Sequence, residues 1–352
     1  PTWNRVRALD RALRSIISQI YDNYLFEVVI SDNASTDGTE KLVRSYMKKY
    51  DYIKYRKNPK NLGIDRNVLS CINIASGRYV HLLSDEDILL KGALNEIKKC
   101  LENYDVSCAF LNYYTYDIVR KIRSIPLKSI SKNILFKDKN EFLKYLGVSS
   151  IWISGIILKK ELCLKINVRK IIGTGFLHWY LLMKIMAMQP RGLFVSRPCV
   201  ASVYSHVPAR YDMIQRMIVL DNLLIYFKSC GYSTFSILKA RFGAFKHILL
   251  TVIGTKINNK PLTSRKKLLK NYTFPLRPLI LLFFLLPNQF FLNMRKWISG
   301  GRIFLSTLMK YIVRRPVTAL SSSPNTTQKK LGRGTREEVL WPERWRKGAN
   351  IS

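Results

Sequence analysis

Three carboxylates stand side by side in Leu83-Ser84-Asp85-Glu86-Asp87-Ile88-Leu89. Like charges at such spacing repel and call for a cation. Mg²⁺ or Mn²⁺ takes oxygen ligands, commonly one or two carboxylates plus the phosphates of a substrate. The competing reading is an acidic, solvated cap for a helix starting near residue 91. The scarcity of acid, 23 Asp plus Glu against 59 Lys plus Arg, weighs toward a site.

Two further clusters could act with it. Ser31-Asp32-Asn33-Ala34-Ser35-Thr36-Asp37-Gly38-Thr39 follows a β-branched run, where a carboxylate can accept hydrogen bonds from a base or ribose. Taken singly, its residues also suit a turn and a helix N-cap. Asn58-Pro59-Lys60-Asn61-Leu62-Gly63-Ile64-Asp65-Arg66-Asn67 joins a strand to a helix. The helix-start amides there, with Lys57, Lys60 and Arg66 nearby, favour the charge of a diphosphate. Alone, that loop is only an ordinary turn signal.

The elements that must position these clusters follow from periodicity. Val6, Leu9, Leu13, Ile16, Ile17 and Ile20 predict a helix over 4–20. Strands are predicted at 26–31, 52–56, 79–83 and 106–114, and helices at 38–50, 64–75 and 91–103. The alternation predicts an α/β domain with a mostly parallel sheet flanked by helices, its ligands at the carboxyl ends of the strands. The second half reads as a strand at 152–159, a helix at 176–188, one or two strands over 192–204 and a helix at 210–229. Beyond about 235 the pattern is helical, basic and apolar. Segments 279–292 and 302–314 are its most apolar parts, and 279–292 is too short to span a bilayer as a helix. Residues from about 321 onward lose this texture and read as a disordered tail.

With SDNASTDGT, NLGIDRNV and the SDED run in that order and at those spacings, the chain resembles family-2 glycosyltransferases of GT-A fold. Pro1-Thr2-Trp3-Asn4-Arg5 resembles that family's opening "PTYNR" segment. The resemblance covers roughly residues 1–230 and is densest over 1–90. It implies that Pro1, Thr2, Asn4 and Arg5 line a nucleotide pocket and that Asp32 contacts the base. Asn61, Gly63 and Asn67 would shape the pocket floor, with Arg66 near the diphosphate. Asp85 and Asp87 match the family's DxD-type signature, with Asp87 the metal contact, so Mg²⁺ or Mn²⁺ is implied as cofactor. The family carries a hydrophobic strand ahead of the PTYNR segment, and none precedes Pro1 here, so a sheet lacking its first strand is expected. Many relatives carry a Glu-Asp pair in the second half, whose Asp is the base. The matching stretch here, 173–180, has no carboxylate, and His178 stands where a base is useful. Ser154-Gly155 resembles the small-residue strand beneath the acceptor.

The resulting expectation is a metal-dependent, inverting transferase. It would move a sugar from a nucleotide-diphosphate donor to a saccharide or lipid-linked acceptor in bacterial O-antigen or capsule synthesis. Residues 1–105 would form the donor half and 106–232 the acceptor half. Residues 233–318 would form a basic, apolar helical extension, and 319–352 the disordered tail. The alternative is a catalytically impaired, truncated relative that binds nucleotide sugar or acts as a scaffold. The net charge of +36 favours anionic partners. The basic residues are spread along the chain without a binding motif, which argues against nucleic acid. Arg265, Lys266, Lys267, Lys270, Arg277, Arg295 and Lys296 flank the apolar 279–292 run and suit an anionic membrane surface on the cytoplasmic side. Cys71, Cys100, Cys108, Cys163, Cys199 and Cys230 form no CxxC pair and read as buried thiols. His81 reads as a core or supporting residue of its strand.

Overall fold

The computed structural model describes residues 1–20, 26–119, 121–204 and 213–257. The chain divides into two units, Pro1–Arg295 and Lys296–Ser352, and every described residue lies in the first. Segments 279–292 and 302–314 and the tail lie outside the described residues.

The amino-terminal half alternates as its periodicity requires. Helix α1 (Val6–Ile17) precedes β1 (Val28–Asp32), α2 (Thr39–Met47), β2 (Ile53–Lys57), α3 (Ile64–Ile74) and β3 (Tyr79–His81). The short β4 (Ile88–Leu89), α4 (Ala93–Asn103) and β5 (Cys108–Asp117) follow. A hairpin through β6 (Ile122–Arg123) leads to β7 (Ile134–Phe136) and α5 (Lys139–Leu146). Then come β8 (Ile156–Lys159), α6 (Lys160–Leu164), α7 (Leu177–Met188), β9 (Gly192–Tyr204), α8 (Met213–Lys228) and α9 (Thr234–Ile257).

Strand directions are mixed. β1 and β2 pair in parallel as a separate two-stranded sheet. The larger sheet runs β3-β8-β5-β9-β4, with β6 on β5 and β7 on β9. Only β5 and β9 are parallel there. Alternation along the sequence predicts parallel pairing, but β8 inserts between β3 and β5 in the opposite sense, and β4 pairs antiparallel with β9. These partners come from distant parts of the chain, so local pattern does not encode their direction.

Apolar side chains settle in three places. Leu9 and Leu13 of α1 pack with Ile30, Val43 and Ile53 over the small sheet. Leu94 and Ile97 of α4 cover one face of the larger sheet against Leu111 and Val195. On its other face Phe110, Phe142, Trp179 and Phe194 join α7, α8 and the first turns of α9 in the largest core. Ala240, Ala244 and Ile248 of α9 are buried in it, so the helix after residue 233 is continuous with this core. Within it Arg241 grips buried Asp221 with two hydrogen bonds of 2.7 and 2.9 Å. All six cysteines are free thiols, and all but half-buried Cys230 are buried.

Among the described residues, no strand joins β1 to β3. Between them lies an apolar cavity of about 810 Å³, lined by Leu13, Val29, Val80, Leu82, Leu94 and Ile97 among others. At one end it reaches Thr2 and Asp85.

Residues 152–159 depart from their predicted strand. Ile153–Gly155 forms a 3₁₀ turn, and only Ile156–Lys159 is extended. The ring of Phe110 lies against Gly155: an added Cβ would stand 2.6 Å from Phe110 Cζ. Gly155→Ala should therefore cost about 1–3 kcal/mol through overpacking. Urea unfolding followed by circular dichroism measures it, and an unchanged midpoint would refute the close approach.

Candidate active site

The acidic loop after β3 is held from two directions. Thr2 Oγ1 donates to Asp85 Oδ2 at 2.7 Å, and Arg5 reaches Asp85 Oδ1 at 3.1 Å. Arg5 also pairs with Glu86 at 3.2 Å. On the other side Ser154 Oγ donates to Asp87 Oδ2 at 2.5 Å, and the Val203 amide donates to Asp87 Oδ1 at 3.0 Å. The three carboxylates are thus separated by their partners. Asp85 has a guanidinium beside it, whereas Asp87 has no ion-pair partner among the described residues. Burial pushes the Asp87 carboxyl up to about 7, against the pull of its bonds to Ser154 and Val203.

The other two clusters converge on the same place. Thr2 pairs with the end of β1: its amide donates to the Ser31 carbonyl and its carbonyl accepts from the Asn33 amide, both at 2.9 Å. Asn67 Nδ2 donates to that Thr2 carbonyl at 3.3 Å. Asn33 Nδ2 donates to Asn61 Oδ1 at 2.7 Å, and Asn58 Nδ2 donates to Asn67 Oδ1 at 3.1 Å. Asn4, at φ 50°, receives the Thr36 amide on its side chain and donates its own amide to Ser35 Oγ. Gly63 adopts φ 80° at the mouth of α3 with open space where a Cβ would stand. Asn61 Oδ1 caps the Gly63 amide at 2.9 Å. Pro1, Thr2, Asn4, Arg5, Asn61, Gly63, Asn67 and Asp85 therefore gather at the carboxyl ends of β1 and β2 and the loop after β3. A network of short amides ties them together. Arg66 is exposed on the first turn of α3.

Asp32 closes β1 and is tied into the loop that follows it. It is fully buried, accepts the Ser35 amide at 2.9 Å and receives the Tyr55 hydroxyl at 2.8 Å. Both oxygens are engaged in holding the loop that follows β1. Tyr55 of β2 gives no sign of this role in sequence, where it reads as an ordinary strand residue. Lys57, expected near a diphosphate, donates instead to Glu40 at 2.9 Å.

His178 lies on the first turn of α7, buried, with Nε2 2.8 Å from the Ile151 carbonyl. A carbonyl only accepts, so Nε2 carries the proton, and Nδ1 is buried with no hydrogen-bond partner among the described residues. Burial lowers the His178 pKa to about 4. Neighbouring Trp179 is also buried, its indole donating to Ser150 Oγ at 2.9 Å. His81 of β3 likewise contacts a carbonyl of this turn, that of Ser154, at 2.8 Å. Trp152 packs against Tyr113 with ring centroids 3.8 Å apart and ring planes tilted by 35°.

One contact joining the two halves escapes sequence reading altogether. Buried Asp65 of α3 accepts the amides of Gly173 and Gly175 at 2.8 Å and of Leu177 at 3.1 Å. A carboxylate in the first turn of a helix is read as serving that helix. This one caps the amino terminus of α7, more than a hundred residues away. Asp65→Ala leaves three backbone donors without their acceptor and should cost about 3 kcal/mol or more. Chemical denaturation measures the loss, and a change under 1 kcal/mol would show these bonds to be dispensable.

Comparison with known proteins follows the same ground. The family model described as Glycosyl transferase family 2 matches residues 1–166. The abequosyltransferase RfbV of Salmonella typhimurium is 32% identical over 197 residues, 53% of this chain and 59% of that protein. A Campylobacter jejuni protein, GalNAc(5)-diNAcBac-PP-undecaprenol beta-1,3-glucosyltransferase, is 37% identical over 106 residues, 30% of this chain and 34% of that protein. The chain thus spans 59% and 34% of the lengths of these two relatives. The crystal structure of S. aureus TarS 1–349 in complex with UDP superposes with a TM-score of 0.59 at 14% identity, covering 80% of this chain and 85% of that one. That likeness establishes the GT-A fold.

Proposed function

We propose, for a chain whose residues 1–166 belong to glycosyltransferase family 2, the transfer of a sugar from a nucleotide-diphosphate donor to a saccharide or lipid-linked acceptor. One observation carries the reading: Thr2, Arg5, Asn67 and Asp85, from three separate sequence clusters, meet at one strand-end site through direct hydrogen bonds. The relatives named as an abequosyltransferase and as a glucosyltransferase of an undecaprenol-linked substrate support a role in bacterial surface polysaccharide.

Within this reading, Pro1, Thr2, Asn4 and Arg5 border the nucleotide with Asn61, Gly63 and Asn67. Asp32 fixes the loop against which the base lies, and exposed Arg66 faces the diphosphate. Asp85 and Asp87 are the residues that would hold a hard divalent cation: Asp87 has no cationic partner among the described residues, although Ser154 and Val203 engage both its oxygens here and no cluster of three or more Asp, Glu, His or Cys side chains suited to a metal occurs among the described residues. Mg²⁺ or Mn²⁺ held there would take diphosphate oxygens as further ligands and stabilise charge on the leaving group. The transfer would be a single displacement with inversion: an acceptor oxygen bonds to the anomeric carbon as the bond to the departing nucleotide breaks on the opposite face, and the hydroxyl proton passes to solvent water. No described helix is long and apolar enough to cross a membrane. A peripheral position on the cytoplasmic membrane face, beside a lipid-linked acceptor, suits the reading.

A panel of nucleotide sugars, screened with and without Mn²⁺, tests the assignment. The wild type should hydrolyse or transfer one donor in a metal-dependent way, and Asp87→Ala should lose at least about 100-fold in turnover while keeping its circular dichroism spectrum. Mn²⁺ should raise the melting temperature of the wild type at pH 8 and leave that of Asp87→Ala unchanged. Metal-independent turnover, or full turnover by Asp87→Ala, would sink the metal assignment. Donor binding without turnover would favour the scaffold reading.

For His178 we propose a positioning role. Its Nε2 holds the Ile151 carbonyl, and the turn that follows carries Ser154 onto Asp87. His178→Gln, which can still donate to that carbonyl, should keep turnover within about tenfold. Loss of a true general base costs roughly 10²–10⁴-fold, so a drop of that size would return His178 to proton transfer. The same variant has a stability signature. The folded-state pKa lies below the ordinary 6.5, so protonation favours the unfolded chain, and stability is lost as pH falls from 6.5 toward about 4. Gln at this position should flatten that acid slope in thermal melts.

A further inference from the structure

The hairpin at the end of β5 combines basic charge with exposed aliphatic side chains. Residues 118–137 hold six Lys or Arg and no Asp or Glu. Within this stretch Val119, Ile122 and Ile125 are 66%, 61% and 81% exposed, and Ile130 is exposed as well. Soluble surfaces tolerate single exposed aliphatics, but a cluster rimmed by one sign of charge marks an interaction surface. Exposed Lys121, Lys132 and Lys137 border it.

Hydrogen bonds tie the hairpin together below its turn. The Ser124 amide donates to the Thr115 carbonyl at 2.8 Å, and the Thr115 amide donates back to Ser124 Oγ at 2.9 Å. The Leu127 amide donates to the Tyr113 carbonyl at 2.8 Å, and the Arg123 guanidinium lies 5.7 Å from the Tyr114 ring centre. Its place relative to the site is fixed by register. Tyr116 pairs with both Arg123 and Val203, and the Val203 amide is the one that donates to Asp87. The basic, aliphatic tip therefore stands at the same sheet end as the acidic loop.

We infer that this hairpin is a membrane-contacting surface: its aliphatic tip enters the headgroup region of an anionic bilayer while the flanking cations meet lipid phosphates. Short aliphatic insertion plus cationic attraction is the pairing that holds peripheral proteins on anionic lipid. The absence of any acid over 118–137 provides the charge complementarity, and exposed Val119 and Ile122 beside the turn, with exposed Ile125 farther along the hairpin, provide the apolar part. An acidic protein partner would use the cations but leaves Ile125 without a purpose. The inference supplies a route to the lipid-linked acceptor proposed above, yet vesicle binding needs neither donor nor turnover.

Co-sedimentation of the full chain with phosphatidylglycerol-containing and pure phosphatidylcholine vesicles, at low and high salt and without donor, tests it. The wild type should bind the anionic vesicles at low salt. Ile122→Ser/Ile125→Ser should weaken that binding by about tenfold. Lys121→Glu/Lys132→Glu should weaken it at least as much, while the charge-matched Lys48→Glu/Lys49→Glu, at the exposed end of α2, should bind within about twofold of the wild type. Unchanged melting curves exclude misfolding. A wild type that stays in the supernatant, or hairpin variants that sediment like the wild type, overturns the inference. So does an equal loss in both charge-reversed variants. If turnover on a water-soluble acceptor is absent but hairpin-dependent binding persists, the membrane surface stands and the transferase reading fails.

Discussion

Three neighbouring carboxylates cannot share a loop unless something outside the loop separates and compensates them. In this chain that requirement organises the whole site. Asp85 and Glu86 are met by Arg5, with Thr2 adding a hydroxyl, while Asp87 is turned away toward Ser154 and the Val203 amide. Four stretches, around residues 2–5, 85–87, 154 and 203, are therefore fixed by one electrostatic problem. The 3₁₀ turn at Ile153–Gly155 follows from it, since Ser154 must leave the strand line to reach Asp87. So does the position of the opening segment, which is held both by β1 and by the acidic loop.

Much of this was legible in the sequence where cause and effect lie close together. The helices and strands over residues 28–103 follow their hydrophobic periods, with ends shifted by a few residues. The three polar clusters sit at strand ends because strands must stop where side chains stop alternating. Legibility failed where the deciding partner is remote. Trp152 to Lys159 reads as one apolar strand, and only the ring of Phe110 and the carboxylate of Asp87 break it. The direction of β8 is set by neighbours more than forty residues away on either side. His178 has the chemistry of a base in sequence, but burial in the largest core, with a carbonyl on Nε2, is a tertiary fact. Asp32 and Tyr55 show the same limit, since a hydroxyl from the adjacent strand occupies an oxygen that the sequence leaves free.

The separation of the two sheets has its own logic. β1 and β2 end in the loops that hold Asn33 and Asn61, and the larger sheet carries Asp87's partner Val203. Thr2 and Arg5 bridge them across the end of an apolar cavity. Polar contacts at the rim thus do the joining that backbone pairing does elsewhere in the fold. The cavity walls belong to side chains of α1, α4, β1 and β3, so its shape depends on all three cores at once.

Asp65 has a consequence for how such a protein can diversify. It grips main-chain amides of residues 173–177, so this part of the docking of α7 does not depend on side-chain identity. Gly173 and Gly175, at φ 95° and 77°, are constrained because most other residues are strained there. Phe176 and Leu177 are constrained differently, as fully buried members of the largest core. Within this stretch Thr174 alone is neither a left-handed glycine nor fully buried, so variation there leaves the anchorage to α3 in place.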